Sequence, residues 1–177
     1  MHMYLPLLRF SDLSSVRRVT AAIKPNRRLF SKATSSVNTK VGTMVKYITG
    51  DELAALMKDD TKQAKKDFLV VDVRDDDFIG GNIVGCLNKP SGEFLNTVDE
   101  LVKDTKDVPL VIFHCALSQV RGPKAARIYK ETRENLLGPN QSQEIAVLRE
   151  GFTQFQVKYK DDPDLVENYK AEYWRTW

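Results

Sequence analysis

The sequence predicts an α/β fold: one domain with a central parallel sheet flanked by helices, preceded by a disordered or cleavable N-terminal leader. Three observations predict it. Runs of apolar, β-branched residues at 68–73 and 109–113 read as buried parallel strands, since strands covered on both faces lose the alternation of a half-exposed sheet. Segments of helical periodicity follow the strands in turn, the pattern of strand–helix–strand units. The chain of 177 residues, 42% hydrophobic and 29% charged, has the composition of one ordinary globular domain.

The leader spans residues 1–43 and the domain residues 44–177. Within residues 1–40, Arg9, Arg17, Arg18, Lys24, Arg27, Arg28, Lys32 and Lys40 face Asp12 alone, a net +7, whereas the rest carries 19 basic and 23 acidic residues, a net −4. The overall charge of +3 therefore comes from the leader. The domain gives no electrostatic case for binding nucleic acid. An Arg-rich, Ser/Thr-rich, nearly acid-free leader has the composition of a mitochondrial transit peptide. Leu13, Val16, Val19 and Ile23 space a loose apolar stripe, and Arg28-Leu29-Phe30-Ser31 resembles a matrix-peptidase cleavage context. Mitochondrial localisation is the expectation. The alternative is cytoplasm and nucleus, with Met44 as the start, or a basic tail with no address. No run of 18 apolar residues predicts a membrane span.

Residues 45–48 read as a short strand, and Thr49-Gly-Asp-Glu52 as a capping box opening a helix over 53–57. Residues 58–67 are a charged, solvated loop. After the strand at 68–73, Asp72 and Arg74 read as loop-holding rather than catalytic residues. Asp75-Asp76-Asp77 reads as an exposed turn, because hard cations want ligands at spaced loop positions. Gly80-Gly81 supplies a turn and residues 86–88 a short strand. Ser91 is placed to cap a helix whose apolar face is Phe94, Leu95, Val98, Leu101 and Val102. The strand at 109–114 precedes a helix over 123–134 that packs Ala125, Ala126 and Tyr129. Residues 136–143 form a loop, 144–148 a strand and 151–159 a helix. Asp161-Asp162-Pro163 then breaks the chain before a tail whose aromatics, Tyr173, Trp174 and Trp177, are expected on the core rather than in a ligand box.

The chemistry concentrates between the strand at 109–114 and the helix after it, where Cys115 and Arg121 are separated by Ala116, Leu117, Ser118, Gln119 and Val120. A thiol at a strand end, a short loop and a helix N-terminus make an oxyanion socket of converging N–H groups and partial positive charge. That field predicts a Cys115 thiol ionising below the free value of about 8.5. Arg121 offers a planar fork of donors to a tetrahedral dianion. The combination suits thiolate attack on phosphorus or arsenic; the plainer alternative is a buried, inert cysteine.

The pattern His114-Cys115-x5-Arg121-Gly122-Pro123 resembles the active-site loop of rhodanese-fold phosphatases related to the M-phase inducer phosphatases. It is equally similar to that of yeast-type arsenate reductases. Sulfurtransferases of the fold carry a loop one residue shorter, so the loop length argues against sulfur transfer. Val70-Val-Asp-Val-Arg74 with Gly80-Gly-Asn-Ile-Val-Gly85 resembles the family's "VDVR … GGHI-G" element, with Asn82 in place of His. Leu148-Arg-Glu-Gly-Phe152 resembles its "L-GGF" element, with Glu150 in place of the first Gly. In order, these matches cover roughly residues 44 to 160.

The resemblance implies a rhodanese-like domain with Cys115 as nucleophile, Arg121 as oxyanion clamp and residues 116–120 as the phosphate-binding loop. It also exposes departures. M-phase inducer enzymes carry acidic residues in the loop where this chain has Ala116 and Val120, so no obvious general acid remains; Glu150 is a candidate if its loop folds over the site. Their second cysteine lies in the strand, at the position of Val73 here. Cys86 is then the possible resolving thiol, or a small buried apolar residue. His114 is read as shaping the loop, with a proton-carrying role as the alternative. Two cysteines and two histidines support neither a zinc site nor a disulfide scaffold. No resident cofactor is expected, beyond glutathione and glutaredoxin as reductant if the reaction is arsenate reduction. Three functions stay open: a tyrosine or dual-specificity phosphatase working through a cysteinyl-phosphate, an arsenate reductase, and a non-catalytic module that grips phosphorylated partners. The expected partner is accordingly a phosphorylated protein or a small oxyanion.

Overall fold

The computed structural model describes residues 45–139 and 142–175. The leader, its transit-peptide reading, Met44 and the last two residues of the aromatic tail lie outside them.

Within these residues the predicted architecture is present. Five parallel strands form the central sheet in the order β1-β6-β5-β2-β4: β1 (Lys46–Ile48), β6 (Glu144–Leu148), β5 (Leu110–His114), β2 (Phe68–Asp72) and β4 (Leu87–Asn88). A second, two-stranded antiparallel sheet joins β3 (Asn82–Ile83) to β7 (Val166–Glu167). Register is set by hydrophobic content on both faces: β2 is buried at all five positions and pairs with β5 from Phe68↔Leu110 to Asp72↔His114.

Alternate residues of these strands feed two cores. Leu69, Val71, Val73, Val111, Phe113 and Cys115 pack on α2 (Phe94–Asp104) and α3 (Arg121–Leu137). Phe68, Val70, Ile112, Ala146 and Leu148 pack on α1 (Gly50–Met57) and α4 (Gly151–Tyr159). Each fully buried aliphatic or aromatic side chain stabilises the fold by roughly 1.5–3 kcal/mol relative to exposure, so the two faces hold the central strands rigidly.

The local signals act as read at α1. Thr49 Oγ1 accepts from the Glu52 N–H at 3.2 Å while Glu52 Oε2 accepts from the Thr49 N–H at 2.8 Å, a complete capping box. Two helix starts differ. The expected cap Ser91 does not cap α2; its hydroxyl donates instead to Asp75 Oδ2 at 2.7 Å, and α2 begins after Glu93 without a side-chain cap. Leu95, assigned to the apolar face of α2, is 68% exposed. α3 starts at Arg121, two residues before the expected Pro123, and runs on to Leu137 through part of the expected loop. Proline is at ease in a first helical turn, where its missing N–H has no partner to lose.

Candidate active site

β2 and β5 are neighbours, and the chain leaves them in different directions: β2 leads out to β4 and β5 leads on to β6 by way of α3. Their carboxyl ends therefore open a crevice, the usual place for ligands in such sheets. Beyond the paired Asp72 and His114, one strand supplies residues 75–77 and the other the loop from Cys115 to Arg121.

The loop closes on its own cysteine. Ser118 is buried with φ +51°, which turns its N–H onto Cys115 Sγ at 3.2 Å while its Oγ accepts from the Cys115 N–H at 3.4 Å. Outside the loop, α4 holds two carbonyls: the Phe152 N–H donates to Cys115 O at 3.0 Å and the Thr153 N–H to Ala116 O at 2.9 Å. A trans peptide points its N–H opposite to its carbonyl, so the N–H groups of Ala116 and Leu117 face away from α4. Those of Ala116, Leu117, Gln119 and Val120 have no protein acceptor among the described residues. Gly151 makes the approach possible. It has φ +61°, and a Cβ there would lie 2.4 Å from both loop carbonyls.

Arg121, the first residue of α3, reaches across the crevice. Its Nη1 donates to Asp75 Oδ2 at 3.0 Å and Asp77 Oδ1 at 2.7 Å, and its Nη2 to Asp77 Oδ2 at 2.5 Å. The Arg121 hydrogen bonds hold the Asp77 carboxyl below the ordinary aspartate range, against burial. Asp77 in turn raises the guanidinium's affinity for its proton. At Asp75 burial pushes upward, but the Ser91 hydroxyl, the Gly92 N–H and Arg121 together hold the carboxyl low. The expected exposed turn at 75–77 is thus a pair of acceptors for the site's arginine.

That turn is anchored from beneath. Asp72 and Arg74 are both fully buried and joined by hydrogen bonds from Nε at 2.8 Å and Nη2 at 2.6 Å. Arg74 also donates to Asp77 O at 3.1 Å and Gly81 O at 2.8 Å, and its guanidinium stacks 4.3 Å from the Phe152 ring centroid. Asp72 and Arg74 therefore have the loop-holding role read from their position.

The remaining candidates are distributed unevenly. His114 is fully buried; Nδ1 lies 3.3 Å from Cys115 O and Nε2 lies 3.6 Å from Asp72 Oδ2. Burial outweighs the nearby Asp72 and pushes its pKa down, so the ring is neutral, beneath the loop, as its loop-shaping reading requires. Glu150 takes the left-handed conformation (φ +63°) that a glycine would adopt freely. Its side chain lines a depression with Thr49, Asp51, Arg149 and Gln154, not the one at Cys115, so the structure does not bring this proposed acid to the thiol. Cys86 packs on the opposite face of the sheet from Cys115. Burial raises its thiol to about 12, and Asn82 Nδ2 sits 3.5 Å from its sulfur. A resolving role for Cys86 does not fit this placement. Asn82, at the family's histidine position, binds Glu167 Oε1 at 2.9 Å and so ties β3 to β7.

Two depressions meet at the site. One is lined by Cys115, Ala116, Leu117, Gln119, Val120, Arg121 and Asp77. The other is lined by Asp77, Ala116, Ile79, Thr153, Tyr173 and Trp174 among others. Trp174 is clamped as expected, its ring 5.6 Å from Phe152 and its Nε1 donating to Gly80 O at 2.8 Å. Tyr173 and Trp174 nevertheless also wall a slot. Asp75, Asp77, Ser91 and this slot were missed in the sequence. The available signal was an acidic run directly after the strand-ending arginine. Among the described residues no group of three His, Cys, Asp or Glu side chains is placed to hold a metal ion, and no helix is long and apolar enough to cross a membrane.

No family model matches the chain. It is 31% identical over 135 residues to the dual specificity phosphatase Cdc25 of Arabidopsis thaliana, covering 76% of this chain and 88% of that one. It is 32% identical over 114 residues to arsenate reductase 2.2 of Oryza sativa, covering 64% of this chain and 83% of that one. Among solved structures, a yeast protein tyrosine phosphatase of the rhodanese family matches with a TM-score of 0.62 and 29% identity, over 75% of this chain and 99% of that one.

Proposed function

We propose, for a chain that belongs to the rhodanese-fold family of Cdc25-like phosphatases and arsenate reductases, that it is a phosphatase working through a cysteinyl-phosphate on Cys115. The observation that carries this reading is the loop itself: a sulfur receiving the Ser118 N–H, beside four loop amides without acceptors among the described residues and an arginine on the same pocket. Cys115 attacks phosphorus, and the S–P bond forms as the P–O bond to the leaving group breaks. The amides and Arg121 hold the equatorial oxygens as charge accumulates on them. Water then releases inorganic phosphate and regenerates the thiolate. Ser118 is the positioning residue, and His114 and the Asp72–Arg74 pair support the two loops from below.

The relatives named as arsenate reductases favour a second reading on the same atoms. The thiolate displaces an arsenate oxygen as water. Glutathione then supplies the second thiol, two thiols are oxidised to a disulfide as As(V) becomes As(III), and glutaredoxin clears it. With Cys86 on the far face of the sheet, the second thiol comes from outside the chain.

The deciding experiment assays the full chain side by side with an aryl phosphate and with arsenate plus glutathione and glutaredoxin. Aryl phosphate turnover lost in Cys115→Ser supports the phosphatase. Arsenite production dependent on glutathione supports the reductase. Oxyanion binding with neither turnover would make this a phosphate-gripping module. We further infer from composition that residues 1–43 are a mitochondrial transit peptide; a fluorescent fusion of that segment that stays cytosolic would end the inference.

A further inference from the structure

The phosphatase reading lacks a proton donor for the leaving oxygen, since Ala116 and Val120 stand where related loops carry acids and Glu150 faces another depression. A donor for that oxygen has a defined place: between the pocket that holds the phosphoryl group and the surface that holds the leaving group. The two depressions described above share Asp77 and Ala116, and of these only Asp77 has a side chain able to take up and give a proton. We propose that Asp77 is the general acid of the reaction, with the leaving group lying in the slot walled by Ile79, Tyr173 and Trp174. The proposal rests on the phosphatase reading.

The geometry supplies a mechanism of loading. Asp77 fills both arms of the Arg121 fork, the same two-point contact that a phosphoryl dianion makes. An arriving ester takes the guanidinium, and Asp77 loses its cation while gaining a dianionic neighbour. Both changes favour the protonated carboxyl. A monoester arriving as its monoanion carries the proton needed, because its second ionisation lies near pH 6. Asp77 receives that proton. As the S–P bond forms, the P–O bond breaks and the proton passes from Asp77 to the leaving oxygen. In the second step the Asp77 carboxylate takes a proton from the attacking water, the S–P bond breaks and Cys115 leaves as thiolate. No electrons change hands; Asp77 passes that proton to the departing phosphate, which leaves as its monoanion, and the carboxylate returns to Arg121. Asp75 shares Arg121 Nη1 at 3.0 Å but is also held by the Ser91 hydroxyl and the Gly92 N–H, at 2.7 and 3.0 Å, so it keeps its charge through the exchange.

The slot also defines the substrate class. It has a volume of about 150 Å³, the scale of a cavity that takes up one benzene ring, and is walled by Ile79 and two aromatics, suited to a planar, apolar leaving group such as a phenol.

The test is Asp77→Asn in the full chain, with phenyl phosphate and 2,4-dinitrophenyl phosphate as paired substrates and inorganic phosphate as competitive inhibitor. The expected result is a fall in kcat of about 100-fold for phenyl phosphate, within the usual range for a lost general acid. Dinitrophenyl phosphate, whose leaving group needs no proton, should lose less than about threefold. Phosphate should inhibit more tightly, since its charged, two-point competitor for Arg121 is gone. This last readout also reports an intact fold, and Asp77→Glu should recover part of the phenyl phosphate rate. Equal losses on both substrates would overturn the proposal while leaving the phosphatase reading standing. A wild-type chain that hydrolyses neither ester would overturn both.

Discussion

The Asp77 carboxylate meets the Arg121 guanidinium fork to fork, Oδ1 against Nη1 at 2.7 Å and Oδ2 against Nη2 at 2.5 Å, at the rim of the pocket that holds Cys115. The pair joins a residue that follows β2 to a residue that opens α3, so it exists only because β2 and β5 are neighbours in the sheet. It means that the site's cation is already neutralised before substrate arrives, and that any oxyanion must compete for it.

Arg121→Lys keeps the charge and loses the fork. A lysine ammonium carries its three donors on one nitrogen and cannot reproduce two parallel N–H···O bonds in one plane. The expected outcome is a kcat/KM for aryl phosphate reduced by about 10²-fold or more, the scale of a lost oxyanion donor. Steady-state kinetics on the purified variant check it; a loss under threefold would show that the fork is dispensable.

Gly151→Ala and Glu150→Gly should move stability in opposite directions. A Cβ at Gly151 meets Cys115 O and Ala116 O at 2.4 Å on a left-handed backbone, so the variant must push α4 off the loop. A cost of at least ~2 kcal/mol is expected, together with loss of turnover. Glycine at position 150 relieves a left-handed non-glycine residue, about 1–2 kcal/mol, and gives back roughly half of that in unfolded-state entropy. Urea denaturation of both variants should therefore bracket the wild type.

Stability should fall with acid through His114. Burial lowers its folded pKa below the ordinary 6.5, so the unfolded chain binds the proton more readily than the native one. The histidine's contribution is complete above the unfolded value and is lost as pH drops below about 6.5, with a slope of at most ~1.4 kcal/mol per pH unit. Denaturation midpoints between pH 7 and 5 measure the slope, and His114→Asn should flatten it. An unchanged slope would remove the buried neutral ring from the account.

Cys86→Ala should leave turnover unchanged on either substrate. Its thiol is protonated throughout the physiological range and lies across the sheet from Cys115. Glutathione-dependent arsenite production that depended on Cys86 would mean that the sheet opens far enough to bring the two thiols together.

Much of this was legible in the chain. Strands buried on both faces announce themselves by unbroken apolar runs, as at 68–72, and local caps by short-range spacing, as at Thr49 and Glu52. The loop between Cys115 and Arg121 could be found because all its parts lie within seven consecutive residues. What could not be read depends on which strands become neighbours. Asp77 and Arg121 are 44 positions apart, and no periodicity links them. Ser91 looked like a helix cap because a hydroxyl before an apolar face usually is one; it is instead taken up by Asp75, a partner supplied by the sheet. The chemistry of Glu150 alone suggests an acid for the site, while the residue, left-handed in backbone, lines a separate depression with Thr49 and Arg149.

The most direct test of the central claim is a rapid acid quench of the full chain during aryl phosphate turnover, followed by mass spectrometry of the Cys115 peptide. The account predicts one phosphoryl group on the Cys115 sulfur, present during turnover, gone when substrate is exhausted and absent from Cys115→Ser. Hydrolysis that persists in Cys115→Ser, or turnover that never places phosphate on that sulfur, would contradict it.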